Sequence, residues 1–139
     1  MNNRLDLHGR IGLITGAGQG VGRQIALHFA AHNAGGVIVN DYYLERAEAV
    51  ANEIEKTGGK ALPLQGDVTS FASVEKMVKR AQDYFGKPIG ILVNNAGNAG
   101  ANPDAEKKGV PFWETDPETW EVRLGVNLYG VLNCCRLVI

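Results

Sequence analysis

The sequence predicts an α/β chain in which a parallel sheet carries helices on both faces. Three observations predict it. Short, β-branched apolar runs alternate with longer stretches whose apolar residues recur at helical spacing. A glycine-rich turn, Thr15-Gly16-Ala17-Gly18-Gln19-Gly20-Val21-Gly22, joins the first apolar run to the first helical stretch. An acid, Asp41, closes the second run about 20 residues beyond that turn.

Residues 11–15 (IGLIT) read as a buried strand, and Val21, Ile25, Phe29 and Ala30 then recur at helical spacing, with Gly35 and Gly36 ending that helix. Residues 37–40 (VIVN) form a second strand, closed by Asp41. Ala47, Val50, Ala51 and Ile54 give a helical stripe stopped by Gly58 and Gly59. Residues 61–65 are a short third strand, and Pro63, which has no N–H to give a ladder, puts it near a sheet edge. Ser70 caps the next helix, whose apolar face is Phe71, Val74, Met77, Val78, Ala81 and Phe85, with Gly86 as its stop. Residues 89–93 are a fourth strand running into Asn94-Asn95-Ala96-Gly97. A polar loop over residues 98–112 follows, either an exposed connector or a lid over a ligand. Thr115 and Glu118 form a capping-box pattern with Pro117 in the first turn of a helix running through Trp120, Leu124, Leu128, Val131, Leu132 and Cys135. Unbroken alternation of strand and helix is the pattern of a doubly wound, Rossmann-type sheet. Right-handed crossovers give the strand order 3-2-1-4.

The 139 residues suffice for one domain, and 45% hydrophobic with 21% charged residues fits a globular chain. A formal net charge of −1 lacks the basic excess that nucleic-acid binding requires. No apolar run approaches the roughly 20 residues that span a bilayer, and the first ten residues lack a signal-peptide core, so a cytoplasmic location without a membrane is expected. Cys134 and Cys135 are adjacent and read as buried free thiols. His28 and His32 are one helical turn apart with no third ligand, so no metal site is expected; His8 reads as exposed. Trp113 and Trp120 are expected to pack the corner at the start of the last helix.

The glycine-rich turn meets three physical requirements at once. A sharp reversal favours residues without Cβ, a backbone that must approach a pyrophosphate cannot carry bulky side chains, and the opening N–H groups of a helix attract anions. Asp41 then stands where a carboxylate accepts hydrogen bonds from the adenosine ribose hydroxyls and repels an additional phosphate, which favours NAD over NADP. Arg23 and Arg46 are the competing detail, since either could reach a 2′-phosphate; both read as solvated helix surface.

Taken together these residues resemble the short-chain dehydrogenase/reductase family. The turn matches the family's TGxxxGxG form through Thr15, Gly16, Gly20 and Gly22, and residues 94–97 match its NNAG motif. Asp67-Val68 stands where the family contacts adenine, and Asn127 matches an asparagine in the following helix. Within the family the chain is most similar to the 3-oxoacyl-carrier-protein reductase type. The resemblance implies cofactor contacts at Gly16, Gln19, Gly20, Val21, Gly22, Asp41, Asp67, Val68, Asn95, Ala96 and Gly97. It implies hydride transfer between nicotinamide C4 and the carbon of a small-molecule alcohol or ketone. In the family a tyrosine moves the proton, a lysine lowers its pKa, a serine orients the substrate, and the asparagine matching Asn127 places a water. A homo-oligomer with the helix of Asn127 at its interface is also implied.

The family's serine and Tyr-x-x-x-Lys pair lie beyond that helix. Tyr42, Tyr43, Tyr84 and Tyr129 lack a lysine four residues on, and Lys87, three after Tyr84, sits between Gly86 and Pro88. Of the catalytic set only Asn127 is present. The expectation is therefore a fragment, truncated after the fourth strand and the following helix, that carries cofactor binding without the catalytic half. Its fourth strand would be an apolar edge, leaving the isolated chain poorly soluble or partly molten. The alternative is a dinucleotide-binding module without catalysis.

Overall fold

The computed structural model describes residues 4–97 and 111–139. Four strands and the helices between them follow in the expected alternation: β1 (Ile11–Ile14), α1 (Gly20–Ala31), β2 (Gly36–Asp41), α2 (Leu44–Lys56), β3 (Ala61–Gln65), α3 (Phe71–Phe85) and β4 (Ile89–Val93). All pairings are parallel and the order is β3-β2-β1-β4. Pro63 accordingly lies on an edge strand, paired with Val39 in register.

The strand alternation sorts the core into two layers. Ile11, Leu13, Ile38, Leu62 and Leu64 face one side, where Val74, Met77, Val78 and Ala81 of α3 and Cys134 cover them. Ile14, Val37, Val39 and Ala61 face the other, against Ala26 of α1 and Ala47, Val50, Ala51 and Ile54 of α2. Apolar side chains on both faces explain why these strands read as continuous apolar runs.

Several boundaries follow local chemistry. Ser70 Oγ accepts the N–H of Ser73 at 3.3 Å to cap α3, and Gly86 ends that helix in the left-handed region. The first helix departs from expectation. It ends at Ala31, and Asn33, not a glycine, takes the left-handed conformation (φ 61°). Gly36 is already the first residue of β2, where Phe85 fills the space a side chain would need. Phe71, expected on the apolar face of α3, is exposed, while Val74 of the same turn is buried.

The C-terminal helix is the largest correction. A 3-10 turn (Phe112–Glu114) precedes α4 (Glu118–Leu124), a π-helical segment (Gly125–Tyr129) and α5 (Gly130–Val138). Asp116 and not Thr115 caps it, its Oδ1 accepting the N–H of Glu118 at 3.0 Å; Thr115 instead accepts Trp120 Nε1 at 2.9 Å. The wider π turn changes the phase of the helix. Trp120, Leu124, Leu128 and Leu132 are exposed, whereas Gly130 and Cys134 are buried. Cys135 is only half-buried, and both thiols are free. Phe112 stacks on Trp120 at 5.2 Å, while Trp113 stands exposed and packs no corner. The polar loop expected to be a connector or lid lies, but for its last two residues, outside the described residues.

Candidate functional site

The glycine turn is bolted to both neighbouring strands at the carboxyl edge of the sheet. Thr15 N–H donates to Val93 of β4 at 3.0 Å, and Ala17 N–H donates to Asn40 of β2 at 2.7 Å. Gly18 N–H donates to Asp41 Oδ2 at 2.9 Å. A methyl group at position 18 would lie 2.6 Å from that oxygen, so only glycine lets the acid come so near.

Past Gly18 the backbone donors run out of partners. Gln19 is extended and makes no side-chain cap, and no acidic residue occupies the first turn of α1. Among the described residues the N–H groups of Gln19, Gly20, Val21 and Gly22 have no acceptor. Gly20 adopts φ +56°, with nothing within 4 Å of where a Cβ would stand, and Val21 is 70% exposed. An open cluster of unpaired donors at the positive end of a 12-residue helix suits an anion such as a diphosphate.

Asp41 is 6% exposed, and its Oδ1 also accepts Tyr43 N–H at 3.1 Å. Each carboxylate oxygen thus takes one backbone donor and retains acceptor capacity for a hydroxyl. Two backbone donors hold the buried carboxylate in one orientation beside the turn.

On the β4 side Asn95 acts as a latch. Its Nδ2 donates to the carbonyls of Thr15 and Gly16, both at 3.0 Å. Thr15 Oγ1 accepts the N–H groups of Asn95 at 3.1 Å and Ala96 at 3.0 Å. Asn40, 1% exposed, donates from Nδ2 to Leu64 and Gly66, both at 3.2 Å, and so holds the exit of β3. Asp67 follows that exit, its Oδ1 accepting Thr69 N–H at 2.9 Å and Thr69 Oγ1–H at 2.7 Å. Val68 turns its side chain into the core, and its carbonyl accepts Asn133 Nδ2 at 2.9 Å. Asn127 lies in the π-helical segment, its Oδ1 3.4 Å from where a Cβ at Gly97 would stand.

The fold therefore gathers Gly16, Gln19, Gly20, Val21, Gly22, Asp41, Asn95, Ala96, Gly97 and Asn127 along one edge, with Asp67 next to it. Only the backbone of Val68 is left to face a ligand. Thr15 and Asn40 were not singled out as site residues. Their signal was present nonetheless: polar residues closing otherwise apolar buried strands have to find partners.

Arg46 is exposed, as expected, whereas Arg23 is half-buried and paired. Arg23 Nε donates to Glu53 Oε1 at 3.0 Å and Nη2 contacts Oε2, tying α1 to α2; the hydrogen bond with Arg23 holds the Glu53 carboxyl below the usual carboxylate range. The Arg46 guanidinium lies over the Tyr43 ring, 4.4 Å from its centroid. Asn94 Nδ2 donates to Cys135 Sγ at 3.5 Å, and burial pushes the neighbouring Cys134 thiol up to about 11. Among the described residues, no three His, Cys, Asp or Glu side chains stand together as a metal site, and no helix is long and apolar enough to cross a membrane.

Comparison with known proteins shows the family. A family model described as short chain dehydrogenase matches residues 10–139. The chain is 36% identical over 134 residues to the (2S)-[(R)-hydroxy(phenyl)methyl]succinyl-CoA dehydrogenase subunit BbsD of Thauera aromatica, covering 96% of this chain and 50% of that protein. It is 39% identical over 102 residues to the 7alpha-hydroxysteroid dehydrogenase of Escherichia coli (strain K12), covering 73% of this chain and 39% of that protein. A solved 7alpha-hydroxysteroid dehydrogenase, complexed with NADH and 7-oxo glycochenodeoxycholic acid, superposes with a TM-score of 0.83 at 32% identity, over 96% of this chain and 48% of that one. The chain spans half or less of the length of these relatives.

Proposed function

The chain belongs to the short-chain dehydrogenase family, and on that premise we propose that it holds NAD(H) for hydride transfer with a small-molecule alcohol or ketone. The observation that carries the reading is the row of unpartnered N–H groups from Gln19 to Gly22, open to solvent and beside the buried carboxylate of Asp41. The solved relative that binds NADH supports it.

In this reading the backbone amides of residues 19–22 receive the diphosphate. Asp41 takes the ribose hydroxyls and disfavours a 2′-phosphate, so NAD is preferred over NADP. Asp67 and the backbone of Val68 border the adenine, while Asn95, Ala96 and Gly97 form the opposite wall, kept in place by the bonds of Asn95 to the turn. The bound dinucleotide supplies the carbon that gives or takes the hydride. Asn127, beside Gly97, orders a water for proton transfer. These 139 residues contain no Tyr-x-x-x-Lys, so by themselves they bind and orient without turnover. The exposed leucines 124, 128 and 132, spaced one turn apart, support a homo-oligomer built on this helix.

Calorimetric titration with NAD⁺ and NADP⁺ tests the proposal. NAD⁺ is expected to bind more tightly. Tighter NADP⁺ binding would overturn the role given to Asp41, and binding of neither would overturn the cofactor reading itself.

A further inference from the structure

We propose that Asn133 is a positioning residue for the adenine end of the site: through the Val68 carbonyl it fixes the peptide that orients the Asp67 carboxylate. The inference rests on the dinucleotide reading above and adds to it a residue that acts on the base only through another.

The turn comes first. Residues 67–70 close with Ser70 N–H donating to the Asp67 carbonyl at 3.1 Å, so the central peptide of the turn joins Val68 to Thr69. That central peptide is the unit whose orientation differs between turn types. Here both of its ends are held. Thr69 N–H donates to Asp67 Oδ1 at 2.9 Å, and the Val68 carbonyl accepts Asn133 Nδ2 at 2.9 Å.

The origin of the second bond comes next. Ser73 Oγ accepts the Asp67 N–H at 3.0 Å from the first turn of α3, and Asn40 reaches the Gly66 carbonyl from β2. Asn133 arrives instead from α5, 65 positions along the chain from Val68. One turn earlier on α5, Gly130 makes room for the same residue: a Cβ there would lie 2.7 Å from Val68 Cγ2. Helix α5 thus seats the Val68 side chain with Gly130 and its carbonyl with Asn133. Asn133 is half-buried, which shields its bond from competing water.

The consequence falls on the base. Among the described residues the Val68 N–H has no acceptor and Asp67 Oδ2 has no donor. An uncommitted donor next to an uncommitted acceptor complements adenine, whose amino group stands beside a ring nitrogen that accepts. Hypoxanthine carries a carbonyl and a ring N–H in those places, the opposite pattern. Without Asn133 the central peptide is free to swing, and Thr69 N–H leaves Asp67 Oδ1 with it. The carboxylate then loses its fixed orientation, and with it the preference for adenine.

The test uses calorimetry on the whole chain with NAD⁺ and nicotinamide hypoxanthine dinucleotide, which differ only in the base. The parent should bind NAD⁺ more tightly. Asn133→Leu, which keeps the size and removes the donor, should weaken NAD⁺ about fivefold and leave the hypoxanthine dinucleotide within about twofold. Amide exchange at Thr69 should become faster in the same variant. Asn133→Asp keeps the shape without the donor and should weaken NAD⁺ at least as much, so it carries the test should the leucine variant not fold. Asn133→Gln, which restores an amide, should recover part of the NAD⁺ affinity. Unchanged NAD⁺ affinity in the variants that lack the donor refutes the proposal, as does an equal loss for both dinucleotides, which would mean a merely structural role. A parent that binds NAD⁺ without preferring adenine to hypoxanthine also refutes it. Failure of the parent to bind either dinucleotide overturns the underlying cofactor reading as well.

Discussion

Replacing Gly18 with alanine tests the contact on which the proposed cofactor preference rests. The added methyl would stand 2.6 Å from Asp41 Oδ2, 2.8 Å from its Cγ and 2.5 Å from Arg46 Cβ. The carboxylate can swing away, but only by giving up its 2.9 Å bond from Gly18 N–H, a charge-assisted interaction of about 1.5–3 kcal/mol. If it stays, overpacking costs about 1–3 kcal/mol. These two costs are alternatives and do not add. Arg46 Cβ is fixed to the backbone of α2 and has no such escape, so the start of that helix must also shift. We expect a loss of about 2–4 kcal/mol, read as a lower urea midpoint. NAD⁺ affinity should fall at least about tenfold as Asp41 leaves its position. Gly20→Ala is the control: its methyl meets nothing within 4 Å, so its stability cost is only that of φ +56° on an L-residue, about 1–2 kcal/mol. If Gly18→Ala unfolds at the parent's urea concentration and binds NAD⁺ as the parent does, the Asp41–Gly18 contact does not organise the site.

Asn95→Ala removes both bonds from the latch to the turn and should cost about 1–3 kcal/mol, with faster hydrogen exchange at Ala17 and Gly18; unchanged exchange there would refute the latch. Iodoacetamide at pH 8 should modify Cys135 before Cys134, whose thiol is buried and held protonated, and peptide mass spectrometry would reveal the reverse order. Because Arg23 depresses the folded-state pKa of Glu53, this pair stabilises above the ordinary glutamate range and the benefit disappears as pH falls through the lowered value. Glu53→Gln should therefore lower Tm slightly at pH 7 but not at strongly acid pH; an equal difference at both would exclude the ion pair as its cause. Expressed alone, the 139-residue chain should self-associate through β4, an edge strand with half-buried Ile91, Leu92 and Val93; a monomer by sedimentation with a sharp cooperative melt would count against this.

Many local signals were legible. The bounds of β3 and β4, the Ser70 cap and the Gly86 stop all depend on residues a few positions apart, and they agree with the structure. The strand order followed from the alternation of elements and the handedness of crossovers. The π-helical segment was not legible, because a one-residue change of helical phase leaves the apolar spacing looking regular, and the exposure of Leu124, Leu128 and Leu132 was missed with it. The end of α1 was missed because Gly35 and Gly36 resemble a stop signal, whereas Gly36 is needed for the close approach of Phe85.

By itself the sequence determined the elements, their order and the edge at which the motif residues meet, since spacing along the chain carries that information. Only the tertiary structure decided which partners those residues take: Asn95 with Thr15 and Gly16, Asp41 with Gly18, Arg23 with Glu53, and Arg46 with Tyr43. All but the last join residues more than 20 positions apart. Hydrogen bonds and ion pairs act over about 3 Å, and which donor and acceptor come that close is set by how the strands and helices pack, not by the order in which they are written.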